Sequence, residues 1–188
     1  MTVKEAILKF SEHLKNTDSP IREARLLVCL ELGMNMSEII VNENMPVNEN
    51  ALKGLEEKVK RRAKGEPFAY ISGEKEFMGM KFKVSESVLI PRDDTEFLVR
   101  TAEETEVKGE ILDLCTGSGC VAVSLKKRME NITVTAVDVS EDALLIAEKN
   151  AKANGAEIEF IKKDILKNKI KFEKKFILAV SNPPYIES

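Results

Sequence analysis

From Gly109 onward the chain alternates short apolar runs with helical ones, over residues 110–114, 120–129, 132–139, 141–153, 157–161 and 176–181. Alternation of this kind predicts parallel strands joined by right-handed crossover helices, an open doubly wound α/β sheet. Its ligands bind outside the carboxyl ends of the strands, so the residues that follow each apolar run are the first place to look for chemistry. A length of 188 residues is enough for such a core, and 43% hydrophobic with 32% charged residues is the balance of an ordinary globular protein.

The first 66 residues read differently. Val3, Ile7, Phe10 and Leu14 recur at helical spacing, and Ser19 with Pro20 marks a second helix that runs through Leu32 to Gly33. Ser37 is placed to cap a short third helix, and Leu52, Leu55, Val59 and Ala63 mark a fourth before Gly65 and Pro67. Residues 1–66 are therefore expected to form a helical bundle. Residues 67–90 are expected to be a connector, because 77–84 alternate around Gly79 like a short hairpin. Residues 91–188 carry a helix with an acidic first turn at Asp93 and Asp94, then the alternating segment. The chain shows no internal repeat.

Several functions are excluded or disfavoured by composition. A formal charge of −3 argues against a surface built to neutralise nucleic-acid phosphates. The run Lys58, Lys60, Arg61, Arg62, Lys64 follows Glu56 and Glu57 on one helix and reads as a solvated face. Residues 1–15 carry Lys4, Glu5, Lys9 and Glu12, unlike a signal peptide, and no apolar stretch is long enough to span a membrane, so a cytoplasmic location is expected. Cys29, Cys115 and Cys120 stand in no zinc-ligand spacing, so free thiols and no metal are expected. His13 is the single histidine, which removes the base that a Ser-His-Asp or Cys-His centre requires.

Three features sit at predicted strand ends. After the first strand come Asp113, Leu114, Cys115, Thr116, Gly117, Ser118 and Gly119, a loop whose glycines allow a tight turn and a close ligand ahead of a helix N-terminus. After the second comes Asp138, about 20 residues beyond that loop, where a carboxylate can accept from both hydroxyls of a ribose. Together they indicate an adenine nucleoside. Gly117, Gly119 and Ala122 also satisfy the dinucleotide pattern, which raises a nicotinamide or flavin oxidoreductase as a rival. The last strand argues against it, because Ser181 is followed by Asn182, Pro183, Pro184 and Tyr185. Two prolines fix a rigid backbone, the Asn182 side chain and the Pro183 carbonyl offer acceptors to one NH2 group, and the Tyr185 ring can stack on the planar group that bears it.

The loop, the ribose acid and Asn-Pro-Pro-Tyr resemble class I S-adenosylmethionine-dependent methyltransferases acting on planar nitrogens. Residues 65–71, 76–79 and 89–96, the last reading Leu-Ile-Pro-Arg-Asp-Asp-Thr-Glu, narrow the resemblance to the release-factor glutamine methyltransferases, the HemK/PrmC family. It runs over essentially the whole chain. It implies a Rossmann-like methyltransferase domain behind a helical bundle that grips class 1 peptide release factors, and methylation of the glutamine amide in their Gly-Gly-Gln motif. Carried over by motif, Cys115, Thr116, Gly117, Ser118 and Gly119 would cradle the methionine part of S-adenosylmethionine and Asp138 its ribose. Asp164 and Ile165 would flank the adenine. Asn182, Pro183, Pro184 and Tyr185 would hold the substrate amide, with Asn182, Pro183 and Tyr185 assigned to catalysis.

Cys115 stands where the family usually has a glycine, and Asp93 where it usually has a second proline. The chain also supplies fewer strands than the family's sheet, which reads as a fragment of a longer protein whose last strand is an open edge. Two alternatives stay open: a nucleic-acid base amino methyltransferase, and a non-catalytic module that docks a partner through its helices.

Overall fold

Thr2 and Glu5 open the chain with a reciprocal cap on α1 (Val3–Ser11): the Thr2 hydroxyl accepts from the Glu5 N–H at 3.2 Å, and the Glu5 carboxylate accepts from the Thr2 N–H at 2.9 Å. The computed structural model describes residues 1–167 and 171–183, and the chain divides into two units, Met1–Ser72 and Gly73–Ser188.

In the first unit a single 3-10 turn, Glu12–Leu14, follows α1. Next come α2 (Pro20–Leu32), α3 (Met36–Val41), α4 (Glu49–Ala63) and α5 (Phe68–Ser72). Pro20 occupies the first turn of α2, and Gly33 ends that helix in the left-handed conformation at φ 64°. Ser19 is the N-cap residue by position, although its side chain makes no capping bond. The third helix corrects the expected cap: Asn35, not Ser37, accepts from the Glu38 N–H at 2.9 Å, and Glu38 answers on the Asn35 N–H at 2.7 Å. Asparagine with an acid three residues later satisfies two terminal donors at once, which serine at position 37 has no partner to do. Asn48 caps α4 by a single bond, its Oδ1 accepting from the Ala51 N–H at 2.9 Å. Val3, Phe10, Leu14, Leu27, Val28, Ile39, Leu55 and Val59 form the buried core of this unit. The basic residues of α4 are largely neutralised, with Lys58 on Glu31, Lys60 on Glu56, Arg61 on Glu66 and Arg62 on Glu23.

The second unit begins with an antiparallel hairpin of β1 (Glu74–Phe77) and β2 (Met80–Lys83). It continues through α6 (Asp93–Glu104), β3 (Gly109–Leu114), α7 (Cys120–Arg128), β4 (Ile132–Asp138), α8 (Glu141–Ala153), β5 (Glu159–Lys162) and β6 (Leu178–Ser181). The hairpin falls within a segment expected to connect two domains, yet its Phe77 and Phe82 are fully buried, edge to face, in the core of this unit. Alternation places one phenylalanine of each strand on the same hairpin face, and that face packs rather than bridges. The larger sheet has order β5-β4-β3-β6 with every pairing parallel, as the alternation requires. Ile111 of β3, for example, lies between Val134 of β4 and Leu178 of β6.

β3 is thus central. The chain winds from it through β4 to β5 on one side and then returns to place β6 on the other, so the winding reverses beside the carboxyl end of β3. Asp93 takes the first position of α6, where its carboxylate suits the helix dipole and pairs with Lys75 at 3.2 Å. No described helix is long and apolar enough to cross a membrane.

Candidate active site

The loop after β3 is held by a buried carboxylate. Asp113 is 1% exposed, and its Oδ2 accepts from the Thr116 hydroxyl at 2.7 Å. Burial pushes its pKa from 3.8 to about 7, against the pull of that hydrogen bond, and the negative charge of Asp138 adds to the rise. The Thr116 N–H donates to the Val137 carbonyl at 3.0 Å, which ties the loop to the end of β4. Asp138, at that end, holds the loop from beneath: Oδ2 accepts from the Gly117 N–H at 2.9 Å and Oδ1 from the Ser140 N–H at 3.0 Å. Ser140 caps α8, its hydroxyl accepting from the Ala143 N–H at 3.2 Å.

Each carboxylate oxygen of Asp138 accepts one bond from the backbone, which leaves acceptor capacity on both for a ligand diol. Beside it Gly117 has φ 54° and open space where a Cβ would stand, so the backbone there is bare to whatever lies against it. These two features, a carboxylate and an open glycine, fit the ribose and amino-acid ends of a nucleoside sulfonium.

The two glycines of the loop have different reasons to be there. A Cβ on Gly119 would stand 2.9 Å from the Ala147 Cβ and 3.2 Å from its Cα, at φ 78°. Gly119 therefore lets α8 close on the loop, a packing role where the sequence suggests ligand approach. Gly119→Ala is expected to destabilise the unit by about 2–3 kcal/mol through overpacking and left-handed strain. Adding Ala147→Gly should return about half of that loss in a urea titration followed by circular dichroism. An unchanged midpoint in the single variant would refute the close contact.

Cys115 adopts φ 58°, a conformation that a glycine takes without strain. This gives the physical sense of the departure noted in the sequence. Burial and the nearby Asp138 carboxylate push its thiol pKa up, so it stays protonated and does not act as a nucleophile. Burial likewise raises Cys120, to about 12.

A cleft runs along the loop across the winding reversal. Cys115, Thr116, Gly117 and Ser118 line it with Asp113, Leu89, Ile90, Pro91, Thr95 and, from the end of β6, Asn182. The Asn182 Nδ2 donates to the Thr95 Oγ1 at 3.1 Å. Thr95 belongs to the 89–96 motif, but nothing in the sequence gives it a partner so distant in the chain. Asp138 and Gly119 do not line this cleft, and neither do Asp164 and Ile165. The latter two sit half-buried in the turn after β5, where the Asp164 carboxylate accepts from the Leu166 N–H at 3.0 Å. Pro183 follows β6 and is exposed, while Pro184 and Tyr185 lie outside the described residues.

Asn150 is the residue the sequence reading missed. Wholly buried on α8, it donates from Nδ2 to the Ser118 carbonyl at 2.8 Å and to the Lys83 carbonyl at 3.0 Å, and its Oδ1 accepts from the Lys83 N–H at 2.7 Å. One side chain thus fastens the loop and the hairpin to the same helix. The available signal was a polar residue on the stripe of Ala143, Leu144, Ala147 and Ala151.

Residues 92–188 match the methyltransferase small domain and residues 5–73 the PrmC N-terminal domain. A release factor glutamine methyltransferase from Koribacter versatilis (strain Ellin345) is 39% identical over 191 residues, covering 99% of this chain and 68% of that protein. The chain belongs to the release factor glutamine methyltransferase family. A second member, from Bacillus subtilis (strain 168), is 36% identical over 192 residues, covering 98% of this chain and 67% of its own length. A third, from Lactococcus lactis subsp. lactis (strain IL1403), is 46% identical over 142 residues, 74% of this chain and 52% of its own length. The chain spans about two thirds of the first two relatives. Within this family it is a methyltransferase with S-adenosylmethionine as cofactor, and the α/β fold with N-terminal helices agrees with the fold expected from sequence.

Proposed function

We propose that this chain methylates the side-chain amide nitrogen of the glutamine in the Gly-Gly-Gln motif of class 1 peptide release factors. One observation carries the reading: Asn182 stands in the same cleft as loop residues 115–118, so an amide held at β6 faces a cofactor held at β3.

When bound, S-adenosylmethionine supplies an electrophilic sulfonium methyl. An amide nitrogen is a poor nucleophile, because its lone pair is shared with the carbonyl, so the work left to the protein is alignment. In this reading the Asn182 Oδ1 and the Pro183 carbonyl accept from the two hydrogens of the glutamine NH2. They point the nitrogen at the cleft and stabilise the positive charge that builds on it, after which one proton leaves to solvent. Cys115 to Gly119 seat the methionine part, Asp138 the ribose, and Asp164 with Ile165 the adenine. Pro184 and Tyr185 complete the amide site by analogy with the family, Tyr185 by stacking.

Residues 1–66 are assigned to gripping the release factor, 67–90 to the junction and 91–188 to methyl transfer, in the cytoplasm where translation ends. The ion-paired face of α4 weighs against a nucleic-acid substrate, since four of its cations already hold carboxylates.

The test is transfer of a labelled methyl group from S-adenosylmethionine to a release factor, against the same factor with glutamate for glutamine. Label confined to the glutamine protein supports the reading, and label on RNA or on neither protein overturns it. Asp138→Ala should weaken S-adenosylhomocysteine binding about 100-fold by calorimetry, from the loss of charged hydrogen bonds to a diol. Equal binding by the variant would remove Asp138 from the ribose site, and saturable NAD binding would restore the oxidoreductase rival.

A further inference from the structure

We propose that Thr95 is a positioning residue that decides which atom of the Asn182 side chain meets the substrate, and so selects a primary amide over a carboxylate. The proposal rests on the reading that Asn182 receives the acceptor.

A terminal amide has two nearly isosteric ends, one accepting and one donating. An unanchored asparagine offers either end: turned one way it takes hydrogens from an NH2, and turned the other it donates to a carboxylate. Such a residue discriminates poorly between glutamine and glutamate.

Here one orientation is seen. Asn182 Nδ2 donates to Thr95 Oγ1 at 3.1 Å, so one of its two hydrogens is engaged and the NH2 end is the one turned to Thr95. Thr95 is a firm anchor: it is 8% exposed, lies in the first turn of α6, and its own N–H donates to the Arg92 carbonyl at 3.0 Å. Its branched Cβ restricts rotation about χ1.

The bond also has a telling location. Thr95 and Asn182 border the loop cleft on one side, and on the other an open groove along α6 lined by Asp94, Phe97, Leu98, Thr101 and Ser181. They are the two residues shared by both spaces. With the cofactor side in the cleft and the acceptor arriving along the groove, methyl transfer takes place at the junction that this bond fixes. The Oδ1 is then the free end, a partial negative charge that welcomes an NH2 and repels a carboxylate.

Thr95→Val keeps the shape and removes the acceptor, and Thr95→Ser keeps the acceptor without the methyl. In wild type one Asn182 side-chain hydrogen should exchange about ten-fold more slowly than those of an exposed asparagine, by nitrogen-15 NMR. That protection is expected to vanish in Thr95→Val and persist in Thr95→Ser. In methyl transfer to a Gly-Gly-Gln peptide, Thr95→Val should lose about ten-fold in kcat with KM within about two-fold, and Thr95→Ser should recover most of it. The inhibition constant of a Gly-Gly-Glu peptide should tighten in the valine variant only.

Unchanged Asn182 exchange and unchanged kcat in a folded Thr95→Val overturn the proposal. Where that variant does not fold, an unprotected Asn182 side chain in wild type overturns it, and protection kept in Thr95→Ser supports it. A wild-type chain that shows the protected hydrogen but never methylates glutamine defeats the functional reading and leaves the orientation standing.

Discussion

Replacing Asn150 by alanine is expected to cost the second unit about 3–4 kcal/mol, the largest stability loss foreseen for any single side chain in it. Three hydrogen bonds disappear together: the Ser118 carbonyl loses its partner at a buried bond, and the Lys83 N–H and carbonyl lose theirs at partly buried ones. Removing one side of a buried bond costs more than the bond contributes, because the group left behind has neither water nor protein to satisfy it. Hydrogen exchange of the β3 and β4 amides reads the loss directly, as an acceleration of about 100-fold or more. A change of less than about 1 kcal/mol would mean that water enters and replaces the amide, and that the three contacts are incidental.

Asp113 makes the second large prediction. Its carboxyl titrates at 3.8 when the chain is unfolded and at about 7 when it is buried beneath the loop. Below pH 3.8 both states hold the proton and the full contribution of the neutral acid is present. As pH rises from there towards 7 the unfolded chain gives up its proton first, so stability falls by as much as about 1.4 kcal/mol per unit. The total is about 4 kcal/mol, after which the dependence flattens. Asp113→Asn mimics the neutral acid, still offers Thr116 an acceptor and does not titrate in this range. The difference in unfolding free energy between variant and wild type should therefore grow between pH 4 and pH 7. Glu141 and Glu159, whose pKa values are lowered by Lys162 and Lys174, act in the opposite sense, with stability lost as pH falls through their folded values. Both proteins share that behaviour and it cancels in the difference. A flat difference across the range would show that Asp113 is hydrated in the native unit.

Much of this fold was legible because the signals were local. The span Glu141–Ala153 follows from an apolar stripe with Ser140 at its head, and the parallel sheet from alternation alone. Local signals of equal strength compete, and there the reading slipped. Asn35 and Ser37 are both good caps, and Glu38 decides between them only once its reach back to the Asn35 N–H is considered. Phe77 and Phe82 alternate as in any hairpin, and no pattern of period two tells whether the face they share covers a core or spans a gap.

The candidate site divides along the same line. Gly117 and Asp138 stand at the ends of adjacent strands, and their spacing in the chain was enough to pair them. Thr95 and Asn182 are brought together by the return of β6 to the far side of β3, a long-range pairing that no window of sequence contains. Cys115 looked like a departure from the family's glycine, and φ 58° shows what that glycine is for.

The central place of β3 also orders the assembly of the site in time. Its pairing with β4 closes over a single helix, whereas its pairing with β6 must wait for α7, β4, α8 and β5 and closes a much longer loop. Longer loops cost more entropy to close, so the β3–β4 register is set first. The loop that faces the cofactor is then already seated on β4 through Thr116 and Val137. Asn182 arrives last, and the cradle for the methyl donor is in place before the protein has anywhere to hold an acceptor.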